Sequence, residues 1–180
     1  AGHTVHFVDI DAEHVRALNE SGVTVQGPVR EFHAGPGTHM AAFFPHEIKD
    51  TYKLVFLAVK SHHTEDATRQ ILPHLAENGV IVSAQNGLNE LLISKIAGQE
   101  RTMGCFVNFS AEYLAPGLLN YGVRAAVVSG EIDGTVGERA RYVHGLLKEF
   151  DDAAILTENI WGYLWSKMVY GTMLYATAIT

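Results

Sequence analysis

Two apolar runs constrain this chain more than any other feature. Tyr52–Val59 (YKLVFLAV) and Val80–Ala84 are almost unbroken hydrophobic stretches. A strand with one wet face alternates polar and apolar residues, whereas a strand covered on both faces, as in a parallel sheet, reads as a continuous run. A helix is predicted between them, from about Thr64 as its cap to a stop at Asn78-Gly79. A second helix, roughly Glu90–Ala97, follows the second run. Strand, helix, strand, helix is the pattern of an α/β fold with a parallel sheet. The first run ends in Lys60-Ser61 and the second in Gln85-Asn86-Gly87. Ligands of open α/β sheets bind outside the carboxyl ends of the strands. Lys60 and Asn86 therefore stand where a phosphate or an amide-bearing ligand would be met. The bland reading is that Asn86-Gly87 is only a turn and that Gln85 satisfies strand-end backbone groups. His62 and His63 are adjacent, diverge in direction and have no carboxylate or cysteine at ligand spacing, so no metal site is expected.

The remaining chain fits the same class. Thr4–Asp9 reads as a strand, and Asp11 can cap a helix over Ala12–Glu20. Val23–Gln26 and Met40–Phe44 are strand candidates around Gly35-Pro36-Gly37. Thr102–Asn108, Leu118–Tyr121 and Ala125–Ser129 are further strands. An amphipathic helix over about Thr135–Phe150 turns Val143, Leu146 and Leu147 inward and Glu138, Arg139 and Arg141 outward. Ala153–Leu156 is a last short strand. The 180 residues, 47% of them apolar, suffice for one domain or one domain and part of a second. A net charge of −7 without a basic stripe excludes a general nucleic-acid binder. The lone Cys105 excludes an internal disulfide framework, fits a cytoplasmic protein, and in its apolar strand reads as packing.

Asn159–Thr180 (NIWGYLWSKMVYGTMLYATAIT) reads as an apolar helix that Thr157-Glu158-Asn159 can cap, with Lys167 its single charge beyond the first turn. The spacing stacks Lys167, Gly171 and Tyr175 on one face. Trp161, Leu164, Trp165, Met168, Met173 and Leu174 cover much of the rest, so the helix is expected to be buried on most sides, with both tryptophans in the core. Ser166, Lys167 and interspersed glycine and threonine argue against a membrane span. A lysine in such a setting needs an anionic partner, a route to water, or a shifted pKa.

Four stretches, LVFLAVKS (54–61), SAQNGLNE (83–90), VVSGEIDG (127–134) and NIWGYLWSKM (159–168), resemble the ketopantoate reductase (2-dehydropantoate 2-reductase) family in order and spacing. The resemblance implies a Rossmann-type domain over 1–157, and at 158–180 the first helix of an all-helical substrate domain. It further implies a cytoplasmic enzyme of pantothenate biosynthesis that reduces a small-molecule 2-keto acid with NADPH or NADH, with a homodimer as a possible assembly. Lys60 and Asn86 would line the nicotinamide and substrate cleft, and Lys167 would protonate the ketone oxygen as hydride arrives at carbon. That chemistry is physically sound, because a cationic donor in a dry cleft stabilises the developing alkoxide.

Three departures qualify what the resemblance implies. The family holds substrate with asparagines four and eight residues beyond its lysine, where this chain has Gly171 and Tyr175. That change points to a bulkier or less polar 2-keto acid than ketopantoate. The family usually reads the 2′-phosphate of NADP with a basic residue near the second strand end, where this chain has Asp9. A carboxylate there accepts ribose hydroxyls and repels a phosphate, which tilts the expectation toward NADH. Finally, the first strand and the glycine-rich pyrophosphate turn lie outside these residues, as do later helices of the second domain, so the sequence is read as part of a longer enzyme. Two other readings stay open: a dinucleotide-binding sensor or scaffold without catalysis, and a related 3-hydroxyacid or polyol-phosphate dehydrogenase.

Overall fold

The structure, a computed structural model, describes residues 2–37 and 39–178. Its elements in chain order begin with β1 (Val5–Val8), α1 (Ala12–Glu20), β2 (Val23–Gln26), β3 (Phe32–Ala34) and β4 (Met40–Phe43). Next come β5 (Tyr52–Leu57), α2 (Thr64–Ile71), β6 (Leu75–Ser83), α3 (Glu90–Ala97) and β7 (Thr102–Val107). The chain continues with β8 (Ser110–Ala115), β9 (Leu118–Val123), β10 (Val127–Glu131), α4 (Glu138–Phe150), β11 (Ile155–Leu156) and α5 (Ile160–Ala178). These elements form two compact units, one built from residues up to Asp50 with Asn108–Ala125, the other from Thr51–Val107 with the chain from Ala126 onward.

In the first unit, Asp11 caps α1 by accepting hydrogen bonds from the Glu13 and His14 amides at 2.9 and 3.2 Å, as its position predicts. β1 pairs in parallel with β4, and a separate sheet runs β3-β2-β9-β8. Val15, Leu18, Val23, Met40 and Ala42 form the core of this unit. β3 and β8 were not expected from sequence. Both are mostly exposed (FHA and SAEYLA) and carry no apolar run, so their pairing with β2 and β9 leaves no periodic trace.

The second unit holds the sheet β11-β10-β7-β6-β5, in which β5, β6 and β7 are parallel and β10 runs antiparallel to β7. The predicted parallel sheet is therefore a parallel trio extended by two opposed strands, β10 and β11. β6 behaves as its sequence requires: every residue from Gly79 to Ser83 is buried, with Ile81 and Val82 fully enclosed. β5 is the last strand of this sheet, and its apolar run is only partly covered, with Phe56 exposed.

Asn78-Gly79 does not stop α2. The helix ends at Ile71, a tight turn through Pro73 follows, and β6 has begun at Leu75. Proline two residues beyond a helix cannot continue it, which outweighs the Asn-Gly signal. The register of β5 on β6 then jumps between Tyr52/Leu75 and Leu54/Val80, and Gly79 allows the close approach there, since a Cβ would sit 2.9 Å from the Tyr52 carbonyl. Thr64 is not a cap either, because His63 holds that position.

Paired glycines seat α5. Gly104 of β7 lies opposite Gly130 of β10, and a Cβ on Gly104 would come within 2.7 Å of Ile160 Cγ1. Ile160 and Leu164 fill this groove, 1% and 3% exposed, together with Val128. Asn159 accepts from the Gly162 amide at 3.0 Å and so caps the first turn. Trp161 Nε1 donates to the Ile132 carbonyl at 2.9 Å. Burial on most sides is not what the structure gives. α5 buries apolar side chains against β7 and β10 in its first turns, and beyond Leu164 its apolar residues are exposed, Trp165 and Met173 among them. Arg139 also differs from expectation, since it turns from α4 to clamp the buried Glu131 carboxylate through Nε at 2.8 Å and Nη2 at 2.7 Å. Among the described residues no helix is long and apolar enough to cross a membrane.

Candidate functional site

β5, β6 and β7 run in parallel and stop at the same edge, and their ends form a cleft of about 130 Å³. Ala58, Val59, Lys60 and Ser61 line it after β5, Ala84, Gln85 and Asn86 after β6, and Val107 at the end of β7. Gln85 Nε2 donates to the Val59 carbonyl at 2.6 Å and to Thr64 Oγ1 at 2.8 Å. This is the backbone-satisfying role its position suggests. Gly87 has φ of +108°, a left-handed conformation that favours glycine, so the chain turns sharply after Asn86 and leaves the Asn86 side chain exposed at the cleft.

Lys167 reaches this edge from α5. Its ammonium donates to Asn86 Oδ1 at 2.6 Å and to the Val107 carbonyl, and it lies 5.4 Å from the centroid of the Phe106 ring. Burial lowers its pKa below the ordinary lysine value. Both oxygen acceptors are neutral, so neither acts as a counter-charge against that effect. Lys167 and Asn86 are thus in direct contact, and Lys60 lines the same cleft. Gly171 lies one turn along α5, where a Cβ would meet nothing within 4 Å, and Tyr175 lies a further turn on with its side chain 75% exposed. Asp9 belongs to the other unit, where its Oδ1 accepts from the Asp11 amide at 2.9 Å. The His62 and His63 rings lie tilted to one another with centroids 4.0 Å apart at the exposed start of α2. Among the described residues no cluster of histidine, cysteine or acidic side chains is arranged to hold a metal ion.

Sequence reasoning missed the Val107 carbonyl and the Phe106 ring, because a backbone acceptor has no identity in sequence and one phenylalanine in an apolar strand looks like any other. It also passed over Glu90, which it took as the opening residue of a helix. Glu90 is fully buried, neither carboxyl oxygen has a hydrogen-bond partner, and its pKa rises from 4.5 to about 7. Burial dominates that rise over the opposing influence of its own amide and of Ser83. The nearby Cys105 thiol is pushed up to about 12 by burial and by the Glu90 charge, so it stays a neutral packing group.

A parallel strand trio with polar residues at its carboxyl edge, joined there by a lysine from a following helix, is the architecture of a Rossmann-type α/β domain leading into a helical segment. The chain belongs to the ketopantoate reductase PanE/ApbA family, whose model matches residues 1–134. It is similar to the 2-dehydropantoate 2-reductase of Aquifex aeolicus (strain VF5), with 30% identity over 126 residues, 67% of this chain and 40% of that one. Among solved structures it shares its fold with a 2-dehydropantoate 2-reductase from Geobacter metallireducens GS-15 (TM-score 0.81, 22% identity, 94% of this chain and 55% of that one). It also shares its fold with a D-mandelate dehydrogenase in ternary complex with NADH and anilino(oxo)acetate (TM-score 0.79, 21% identity, 92% and 53%). The chain therefore spans about half the length of these solved relatives and 40% of the Aquifex protein.

Proposed function

We propose that the protein reduces a 2-keto acid to a 2-hydroxy acid with a nicotinamide dinucleotide, and that Lys167 supplies the proton to the carbonyl oxygen. The observation that carries this reading is the Lys167 ammonium held on Asn86 Oδ1 and the Val107 carbonyl at the carboxyl edge of three parallel strands. The residues present fit the nicotinamide end of the cofactor: the small side chains of Ala58 and Ala84 keep the cleft open beside Lys60 and Asn86. When bound, that group supplies the hydride. Lys167 has three N–H bonds. Two are directed at Asn86 and Val107, and the third serves the substrate oxygen, on which negative charge develops as the carbonyl is reduced. The lowered pKa makes the ammonium a stronger acid, which suits proton donation near neutral pH.

In this reading residues 158–180 open the substrate-binding part. Gly171 and Tyr175 stand one and two turns beyond Lys167, and the lack of an amide side chain at Gly171 favours a 2-keto acid bulkier or less polar than ketopantoate. Asp9 favours NADH, because a carboxylate repels the 2′-phosphate that distinguishes NADPH and accepts a free ribose hydroxyl. Steady-state rates with NADH and NADPH over a panel of 2-keto acids test the assignment, together with Lys167→Ala. The variant is expected to lose about 10²- to 10⁴-fold in kcat while NADH affinity is retained. Turnover surviving in Lys167→Ala refutes the proton-donor role, and a clear preference for ketopantoate refutes the substrate assignment.

A further inference from the structure

Asn89 occupies the cap position of α3, yet its side chain makes no capping hydrogen bond. Asparagine is among the preferred caps, so a competing use must hold the carboxamide. That use is fully specified. Asn89 is buried, and its Oδ1 accepts from Thr64 Oγ1 at 3.1 Å. Its Nδ2 donates to Ser61 Oγ at 3.2 Å and to the Asn86 carbonyl at 2.9 Å.

The donors run in one direction. Gln85 donates to the Thr64 hydroxyl, Thr64 donates to Asn89, Asn89 donates to Ser61, and both Asn89 and Ser61 donate to the Asn86 carbonyl. Each hydroxyl uses its single proton once, and the Asn86 carbonyl takes its two donors on its two lone pairs. Gly87 makes this possible: its left-handed turn folds Asn89 back under Asn86, and a Cβ at Gly87 would stand 3.3 Å from Asn89 Nδ2. The result is that the Asn89 carboxamide joins Gln85 and Ser61 in tying the turn after β5 to the turn after β6.

We propose that Asn89 is a positioning residue, which fixes the Asn86 turn from beneath so that the Asn86 side chain holds the Lys167 ammonium at the cleft. Its catalytic consequence rests on the reductase reading, whereas its structural consequence does not. If the Asn86 turn loosens, the ammonium loses a fixed acceptor and its charged form is less favoured, so the Lys167 pKa falls further.

The test is a side-chain NMR titration of Lys167 in the unaltered protein, Asn89→Ala, Asn86→Ala, the double variant, and Thr64→Val, which removes the donor to the Asn89 oxygen together with the acceptor of Gln85 Nε2. It needs neither cofactor nor substrate, so its outcome is independent of whether the protein turns over. The Trp161 indole N–H, bonded to the Ile132 carbonyl, certifies that each variant is folded around α5. Asn89→Ala and Asn86→Ala are each expected to lower the Lys167 pKa by about half a unit or more. The double variant should go no lower than Asn86→Ala alone, since both act through one contact, and Thr64→Val should move it in the same direction by less. A Lys167 pKa unchanged in Asn89→Ala or in Asn86→Ala overturns the proposal, as does full additivity in the double variant. Where turnover is measurable, Asn89→Ala should lower kcat about tenfold with KM for NADH little changed. A fall in thermal stability with kcat intact would reduce Asn89 to a structural tie and overturn the assignment.

Discussion

Glu90→Gln isolates the energetic cost of the buried carboxyl. In the folded protein this group titrates at about 7 against an ordinary value of 4.5, because burial penalises its charge. Below pH 4.5 it is protonated whether the chain is folded or unfolded, and it contributes nothing to pH dependence. Between pH 4.5 and about 7 the unfolded chain releases the proton while the folded protein keeps it, so stability falls as pH rises. Above about 7 the folded protein ionises too and the loss is complete. At about 1.4 kcal/mol per pH unit, the interval amounts to about 3 kcal/mol. Glutamine keeps the shape and cannot ionise, so its fixed cost or benefit is the same at every pH. Urea unfolding at pH 5, 6, 7 and 8, followed by the fluorescence of Trp161 and Trp165 on α5, gives the difference between variant and unaltered protein. That difference should move in favour of Glu90→Gln by about 2.5 kcal/mol between pH 5 and 8, with most of the change below pH 7. Parallel stability curves would refute the reasoning, since they require Glu90 to titrate alike in both states.

Two further outcomes follow from the same geometry. Asn86→Asp places a carboxylate 2.6 Å from the Lys167 ammonium and should raise the Lys167 pKa by about one to three units. In turnover assays the alkaline limb should move to higher pH while kcat at neutral pH falls, because the proton is held more tightly; an unchanged limb would show that this contact does not tune the lysine. Gly104→Ala forces a Cβ to 2.7 Å from Ile160 Cγ1 and should destabilise the protein by about 1–3 kcal/mol, read as a lowered midpoint in urea.

The sequence signals that survived folding are those whose cause is local. Asp11 caps α1 because its carboxylate reaches amides two and three residues away, and β6 is enclosed because its last residues are all apolar or small. Where two local signals competed, the stronger steric one won: Pro73 ended α2, and Asn78-Gly79 became part of a strand irregularity. The contact between Lys167 and Asn86 joins residues 81 apart. It could be anticipated because a lone charge on an apolar helix and a polar strand end both call for a partner. Arg139 could not be placed from helical periodicity, because Glu131, the group that turns it inward, lies outside the helix. Glu90 gave no warning, since an acid in the first turn of a helix is ordinarily explained by the helix dipole. Its burial depends on what β6 and β7 place against α3. The exposed turns of α5 make the same point in reverse, because an all-round apolar composition says that a helix can be covered and not which of its faces is.

On the proposed reading, the acceptors around Lys167 suit a partly buried lysine to releasing a proton. A carboxylate partner would satisfy the ammonium and stabilise its charge, raising the pKa and making the donor sluggish. Water alone would leave the pKa ordinary and the geometry loose. An amide oxygen and a backbone carbonyl satisfy N–H bonds in fixed directions, and they bring only dipoles against the desolvation that lowers the pKa. On the same reading, neutral acceptors would not compete electrostatically with the carboxylate of an incoming 2-keto acid. The glycine pair at Gly104 and Gly130 matters to the same end: it lets the first turn of α5 lie close on β7 and β10, so that a lysine two turns later meets the strand edge. The position of the Lys167 ammonium is thus set by backbone packing, and its acidity by what that packing leaves uncharged.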